Sequence, residues 1–378
     1  MQPDQAHRLI NQWEVRINAH DTVGLADLYS DDAVLTSPMF RTTKGRGSIA
    51  SSFEVLFASF PDWKVNISNV LVDGDQVAAL TVASATDRIG SFGLPATGEP
   101  FSYRCVLLYT IRDAKIVAEE RIYDLTALID RLEKVRVERE LRAASDVQRA
   151  LFPRETQSGA YYDAAGDSNP CRAIGGDFFD FFELDGCRFG VALGDVSGKG
   201  PAAALLASLV QGMIAVESNR WQGPGRALSQ INDALIRRRI EPRFATLSFV
   251  TISQDGRLTY ANAGHNPPLL VTEDEIRRLD VGGPMLGVFA SATFQEATVE
   301  LHARDLTVIF SDGVTDALNP AGEEFGDQRL LTFVRANCHL RPGALVSNAL
   351  DAVRDFSGGS VHSDDATILA LRYLSRTG

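Results

Sequence analysis

The stretch GGDFFDFFELDGCRFGVALGDVSGKG, residues 175–200, decides how the second half of the chain is read. It holds two apolar runs, residues 178–184 and 188–193, on either side of Asp185-Gly186, a dipeptide suited to the tight turn of a β-hairpin. Asp177 stands just before the first run, Asp195 just after the second, and the two positions are symmetric about Gly186. Antiparallel pairing therefore brings the two carboxylates side by side at the open end of the hairpin. Such a like-charge pair is unfavourable unless something positive sits beside it.

The pattern repeats further along. Asp312 ends the apolar strand LTVIF in FSDGVTDA, and Asp364-Asp365 directly precede ATILALRY. If those two strands lie antiparallel and adjacent, four or five acids converge at one sheet edge. An Asp before Gly is ordinary turn chemistry when taken singly, but several at strand ends suit hard divalent cations held by carboxylates, carbonyls and water. Cysteine points the same way: Cys105, Cys171, Cys187 and Cys338 are scattered without CxxC spacing, so any metal must use oxygen ligands. Competing motifs fail. GDVSGKG has three residues between its first Gly and the Gly-Lys, where a nucleotide-binding loop needs four and then Ser or Thr. There is no G-x-S-x-G elbow and no zinc-protease His spacing. His265 in NAGHNPPLL reads as a loop residue fixing a Pro-rich turn.

Around this stretch, residues 154–378 are strand-rich, with helices predicted at 201–218, 225–238, 328–336 and 343–356 and no regular βα alternation. Residues 124–152 carry no Gly or Pro and read as one long helix. Leu125, Leu128, Leu132 and Val135 form one heptad seam, and Leu141, Ala144 and Leu151 a second, out of register across residues 136–140. A solvated linker or a dimeric coiled coil with a break both fit, and pairing into a homodimer along this helix is the expectation carried forward. Residues 1–127 open with an amphipathic helix over 7–19 and a short one over 22–28. Period-2 strands follow at 63–72, 76–85, 101–112 and 115–123, a helix-then-meander order typical of α+β folds.

The 378 residues suit two or three domains at roughly 150 each. Against 37 basic residues stand 49 acidic ones, a net charge of −12, so neither nucleic acid nor an anionic membrane is an expected partner. With 45% hydrophobic and 23% charged residues the composition is that of folded soluble domains. No apolar run reaches the ~18 residues of a membrane span, and MQPDQAHRLINQWE lacks the regions of a signal peptide, so a cytoplasmic location is expected.

GGDFFDFF, GDVSGKGPAAAL, ATLSFVTI, LTYANAGHNPPLL, GGPMLGV, LTVIFSDGVTDA and DDATILAL, in this order over residues 154–378, resemble the SpoIIE/RsbU-type branch of the metal-dependent (PPM) serine/threonine protein phosphatases. The resemblance implies an αββα sandwich with two Mn²⁺ or Mg²⁺ ions at one end. Asp195 would bridge both, with the Val196 carbonyl on the second; Asp312 and Asp364 would complete the first, and Asp177 would act through metal-bound water. Arg172 matches a phosphate-gripping Arg of the wider family, where its planar fork suits a phosphate. The eukaryotic branch has a His two residues after its bridging Asp; here Ser197 stands there, with Lys199 as in bacterial members, which questions the protonation of the leaving group rather than the class. The implied substrate is a phosphoserine or phosphothreonine on a STAS-type anti-anti-sigma protein in a partner-switching pathway.

Residues 1–127, with LYSDDAVLTSP, FPDWKV, LVDGDQVAALTVASATDRIG and GLPATGEPFSYRCVLLYTIRDAKIVAEERIYDL, are similar to the SnoaL-like, ketosteroid-isomerase-like cone. That resemblance implies a small apolar ligand. Asp124 stands near the pocket acid of such members, with Arg121 and Tyr123 in place of their aromatic–histidine set. Trp13, Tyr29, Trp63 and Tyr109 fit either a pocket lining or the core. The expected organisation is a regulatory domain over 1–127, a coiled-coil linker over 128–153 and a phosphatase domain over 154–378. Two other classes stay open from sequence: a ligand-binding scaffold on an inactive phosphatase fold, and an isomerase or cyclase in the N-terminal half.

Overall fold

A computed structural model of the chain describes residues 3–90, 95–153, 156–184, 188–218, 222–240, 243–358 and 364–375. Two units separate, Met1–Glu140 and Leu141–Gly378.

In the first unit α1 (Pro3–Asn18) turns Ala6, Leu9, Ile10, Trp13 and Ile17 to one buried side, as its helical spacing predicts. α2 (Thr22–Ala26) is capped by Asp21, whose carboxylate accepts the Gly24 N–H. Then come β1 (Tyr29–Ser37), β2 (Arg41–Lys44), α3 (Arg46–Ser59), β3 (Lys64–Asp73), β4 (Gln76–Thr86), β5 (Pro100–Arg112) and β6 (Lys115–Ile122). The sheet order is β2-β1-β6-β5-β4-β3. The antiparallel meander of β3 to β6 lies within one residue of the strands expected from alternation. β1, β2 and α3 were not foreseen. β1 pairs with β6 in parallel, a contact between segments far apart in sequence, and α3 begins at Gly45 with no side-chain cap to announce it.

Trp13, Tyr29, Trp63 and Tyr109 are all buried in this unit's core. The pocket acid expected at Asp124 is corrected by the structure: Asp124 is exposed and accepts the Ala127 N–H at 2.9 Å, capping the next helix. A helix start needs such an acceptor for its unpaired N–H groups. The buried acid paired with Arg121 in the core is Glu119. Its fully buried carboxylate accepts from Tyr29 and from Arg121 Nε at 2.6 Å, and Trp13 Nε1 donates to the Tyr29 hydroxyl at 3.0 Å. Burial, the largest single influence, draws the Arg121 proton affinity down, but the Glu119 charge and hydrogen bond together with Tyr29 and Tyr109 outweigh it and hold the guanidinium charged.

α4 (Leu125–Leu151) is one continuous helix through the register break, where Arg136 pairs with Glu140 at 2.9 Å. Leu128 and Leu132, which the heptad reading gave to a partner helix, are buried in the first unit's own core instead. Val137, Val147 and Leu151 remain exposed. No helix among the described residues is long and apolar enough to cross a membrane.

The second unit runs β7 (Thr156–Ser158), β8 (Tyr162–Asn169), β9 (Phe178–Leu184), β10 (Arg188–Val196), α5 (Pro201–Ser218), α6 (Pro224–Arg238), β11 (Ala245–Ser253), β12 (Arg257–Ala263), β13 (Leu269–Val271), β14 (Ile276–Arg278), β15 (Gly282–Gly283), β16 (Ala297–Glu300), β17 (Leu306–Phe310), α7 (Asp312–Thr315), α8 (Gly326–Asn337), α9 (Pro342–Phe356) and β18 (Ala366–Tyr373). Two mainly antiparallel sheets form, β15-β12-β11-β10-β9 with β16 beside β12, and β14-β13-β17-β18-β8-β7. Alternate residues of each strand face opposite ways. In β18, Leu369 and Leu371 enter the core between the sheets, while Ile368 and Ala370 meet α8 and α9 on the outer face. β10 does the same, with Val191 and Leu193 inward and Ala192 toward α5 and α6. Both faces being covered, these strands read as unbroken apolar runs, and the αββα sandwich expected from the resemblance is what forms.

Phe178 lies opposite Gly194 and Leu184 opposite Arg188; the Asp185-Gly186 turn itself lies outside the described residues. β10 extends past the expected end at Leu193 because Asp195 and Val196 still pair with Thr246 and Ala245 of β11. A third strand on the far side overrides the local Gly-Asp turn signal.

Replacing Arg121 by Met should leave the Glu119 carboxylate buried without its counter-charge, at a cost of about 3–5 kcal/mol. Calorimetry of the full chain should show a lowered unfolding transition for the first unit, largely restored when Glu119→Gln is added.

Candidate metal centre

The two sheets deliver their acids to one end of the sandwich. The β9–β10 register carries Asp177 opposite Asp195. β17 and β18 are antiparallel neighbours, with Phe310 opposite Ile368, so Asp312 just beyond one and Asp364-Asp365 just before the other fall at the same edge. The sheets are joined there by side chains: the Thr367 hydroxyl of β18 donates to Asp177 Oδ2 at 2.6 Å. Ser311 ties the second pair, its hydroxyl donating to the Asp365 carbonyl at 3.2 Å and accepting the Thr367 N–H at 2.9 Å.

Convergence has an electrostatic cost that the protein alone does not relieve. Asp177 is 3% exposed. Burial first, and then the Asp195 charge, push its carboxyl well above the usual range. Asp195 is pushed up to about 7 by burial and by the charges of Asp312 and Asp364. Burial and Asp364 raise Asp312. The ammonium among the described residues that faces the cluster, Lys199, pairs with Asp364 at 2.9 Å, with both groups over a third exposed. Acids arranged this way bind protons or cations. Carboxylates with no thiolate or imidazole among them fit hard divalent ions.

The carboxylates of Asp364 and Asp365 and the Cys171 thiol also lie close together, but Asp365 is already committed. Its oxygens accept the N–H groups of Cys171 at 2.8 Å, Gly176 at 2.7 Å and Asp177 at 3.4 Å. The Cys171 thiol is pushed up to about 11 by burial and by the Asp365 charge, so it stays protonated rather than serving as a thiolate ligand. Gly175 and Gly176 are required here by close approach. A Cβ on Gly175 would fall 2.3 Å from Asp365 Oδ2, and one on Gly176 2.7 Å from the Val196 carbonyl oxygen.

Of the residues expected from sequence, Asp177, Asp195, Val196, Asp312 and Asp364 therefore come to one end of the sandwich. Arg172 is exposed beside them, its Nη1 3.8 Å from where a side chain on Gly200 would begin. Ser197 is structural, its N–H donating to the Phe244 carbonyl and its hydroxyl accepting the Phe244 N–H, each at 2.9 Å. His265 is buried, bonded through Nδ1 to the Thr246 hydroxyl at 2.8 Å and lowered by burial to about 4, which keeps it neutral. Its turn is fixed by Asn262, which both accepts the His265 N–H and donates to the His265 carbonyl. Sequence reasoning missed Ser311, Thr367 and the loop-anchoring role of Asp365. The signal was present in FSDG and DDAT, where a hydroxyl residue adjoins or nearly adjoins each acid.

A family model described as stage II sporulation protein E (SpoIIE) matches residues 185–374, and one described as a SnoaL-like domain matches residues 10–119. Protein IcfG of Synechocystis sp. is 27% identical over 265 residues, 61% of this chain and 41% of IcfG. Phosphoserine phosphatase RsbU of Bacillus subtilis is 27% identical over 245 residues, 62% of this chain and 70% of RsbU. The chain thus spans well under half of one relative and about two thirds of the other. Among solved structures, the SiaA-PP2C domain of Pseudomonas aeruginosa matches with a TM-score of 0.56 and 20% identity, covering 64% of this chain and 98% of that one, a likeness of fold. With a matching model over half its length, a PP2C-type sandwich and a SnoaL-like domain ahead of it, this chain belongs to the SpoIIE family.

Proposed function

We propose that the chain is a Mn²⁺- or Mg²⁺-dependent protein phosphatase acting on phosphoserine or phosphothreonine. The observation that carries this is the gathering of Asp177, Asp195, Asp312 and Asp364 at one sandwich end with their charge unrelieved. Asp195, Asp312, Asp364 and the Val196 carbonyl would hold two ions, with Asp177 one step removed. When bound, such ions lower the pKa of a water toward neutrality and clamp phosphoryl oxygens for in-line displacement. The chain's own residues supply the rest. Arg172, exposed beside the cluster, is placed to grip the phosphate bidentately. Thr367 and Ser311 orient Asp177, and Lys199 steadies Asp364 at the rim. Ser197 is held against Phe244, and the leaving alkoxide takes its proton from solvent.

The RsbU likeness supports a phosphorylated STAS-type protein of a partner-switching pathway as substrate. The SnoaL-like half is proposed to regulate the reaction through α4, and two chains to pair along the exposed positions Val137, Val147 and Leu151. A ligand of that half would need a polar end as well as an apolar body, because Tyr109 OH and Arg121 Nη2 are buried with no partner among the described residues.

Asp195→Asn should abolish Mn²⁺-dependent hydrolysis of a phosphoserine protein, a fall of at least 10³-fold, with circular dichroism unchanged; retained turnover would refute the assignment. The pH dependence has a definite sign. Asp177 and Asp195 bind protons more tightly folded than unfolded, so they add stability at low pH that is lost as pH rises toward 7. In EDTA the melting temperature should therefore drop between pH 5 and 7.5, and excess Mn²⁺ or Asp195→Asn should flatten the drop.

A further inference from the structure

We propose that Gln148, in the last turn of α4, is a positioning residue for the metal centre, acting through the loop that carries Asp177; the inference rests on the phosphatase reading above. Its amide nitrogen donates to the Gly175 carbonyl at 2.8 Å, and its amide oxygen accepts the Gly175 N–H at 3.1 Å. One side chain thus holds both backbone polar groups of a residue two positions from Asp177. Two bonds from one planar amide fix the orientation of that peptide as well as its position.

The loop has no slack to absorb a displacement of Gly175. The Asp365 carboxylate lies against Gly175 and bonds the next two N–H groups, and the Val196 carbonyl lies against Gly176. The helix end that bears Gln148 is itself fastened. Gln211 of α5, nearly buried, donates to the Leu151 carbonyl at 2.9 Å and to Asp180 Oδ2 at 3.2 Å. Phe152 packs on Phe179 with ring centroids 5.4 Å apart. Those contacts secure the helix end to the sandwich, whereas the Gln148 pair reaches specifically to the Asp177 loop. The pair borders a cleft of about 400 Å³ lined in part by Ser145, Gln148, Arg149, Gly175 and Asp177. The amide has room to leave without repacking a core, so its bonds set loop position while contributing little to the fold.

Gln148→Ala and the near-isosteric Gln148→Glu, which loses the N–H donor, test this in the full chain. The two hydrogen bonds lost in Gln148→Ala predict about tenfold weaker Mn²⁺ binding by calorimetry, and the one lost in Gln148→Glu about threefold. Half-activating Mn²⁺ should shift by the same factor while turnover at saturating Mn²⁺ stays within twofold and the melting temperature within a few degrees. In metal-free protein, hydrogen exchange at Gly175 and Gly176 should rise in the Ala variant, with the sandwich strands unchanged. Wild-type Mn²⁺ affinity in both variants, or unaltered exchange at Gly175, would overturn the proposal. If wild type is active, Asp195→Asn is dead and both Gln148 variants match wild type, the positioning role alone falls. If wild type shows no Mn²⁺-dependent hydrolysis, the phosphatase reading falls, and the exchange measurement still decides whether the clamp holds the loop.

Discussion

The carboxylate of Asp365 accepts three N–H groups from a loop 188 to 194 residues earlier in the chain, and the candidate site depends on that connection. Asp177 and Asp195 come from one sheet, Asp312 and Asp364 from the other. Apolar packing between the sheets sets their separation, but packing is non-directional. Directional bonds at the open end set where the acids stand. Asp365 provides them to the loop backbone, Thr367 to the Asp177 side chain, and Ser311 to the backbone of Asp365 and Thr367. A buried carboxylate acceptor with several N–H partners is among the stronger interactions a protein can make, and here it fixes the loop that carries Asp177.

The site is therefore strained in charge but not in geometry. The loop that carries Asp177 is tied through its backbone N–H groups, Gly175 and Gly176 stand where a Cβ would collide, and the acids are drawn toward protonation by burial and by one another. This separates the cost of the site, which a bound cation offsets, from the stability of the scaffold, which three apolar clusters of the second unit supply. The N-terminal unit shows the opposite arrangement. There Glu119 carries its own counter-ion, Arg121, inside the core, and its charge is balanced without any external partner.

Much of the second unit was legible because its strands are short, apolar and bounded by turn residues. The helices at α5, α6 and α9 and the strands at β9, β17 and β18 agree with their sequence patterns to within a residue. Reading failed where the deciding contact is remote. β1 and β2 carry exposed polar residues and owe their strand form partly to β6. Leu128 and Leu132 fit a heptad perfectly well, yet a core in the same chain claims them. Asp124 has the composition of a pocket acid, and the start of α4 uses it as a cap.

By itself the sequence determined which groups are available at the sandwich end, because hairpin symmetry and strand-end placement follow from a two-residue period and from turn chemistry, both local properties. It also determined that any cation there would be a hard one, through oxygen donors and scattered cysteines. Tertiary structure alone decided which of the two neighbouring acids faces the loop and which the solvent, Asp365 inward at 5% exposure and Asp364 outward on Lys199. It alone decided that Gln148 touches Gly175, and that Glu119 is buried while Asp124 is exposed. Adjacent residues in a chain are chemically alike on paper. What distinguishes them is the partner that folding brings to one and withholds from the other, and those partners lie far along the sequence.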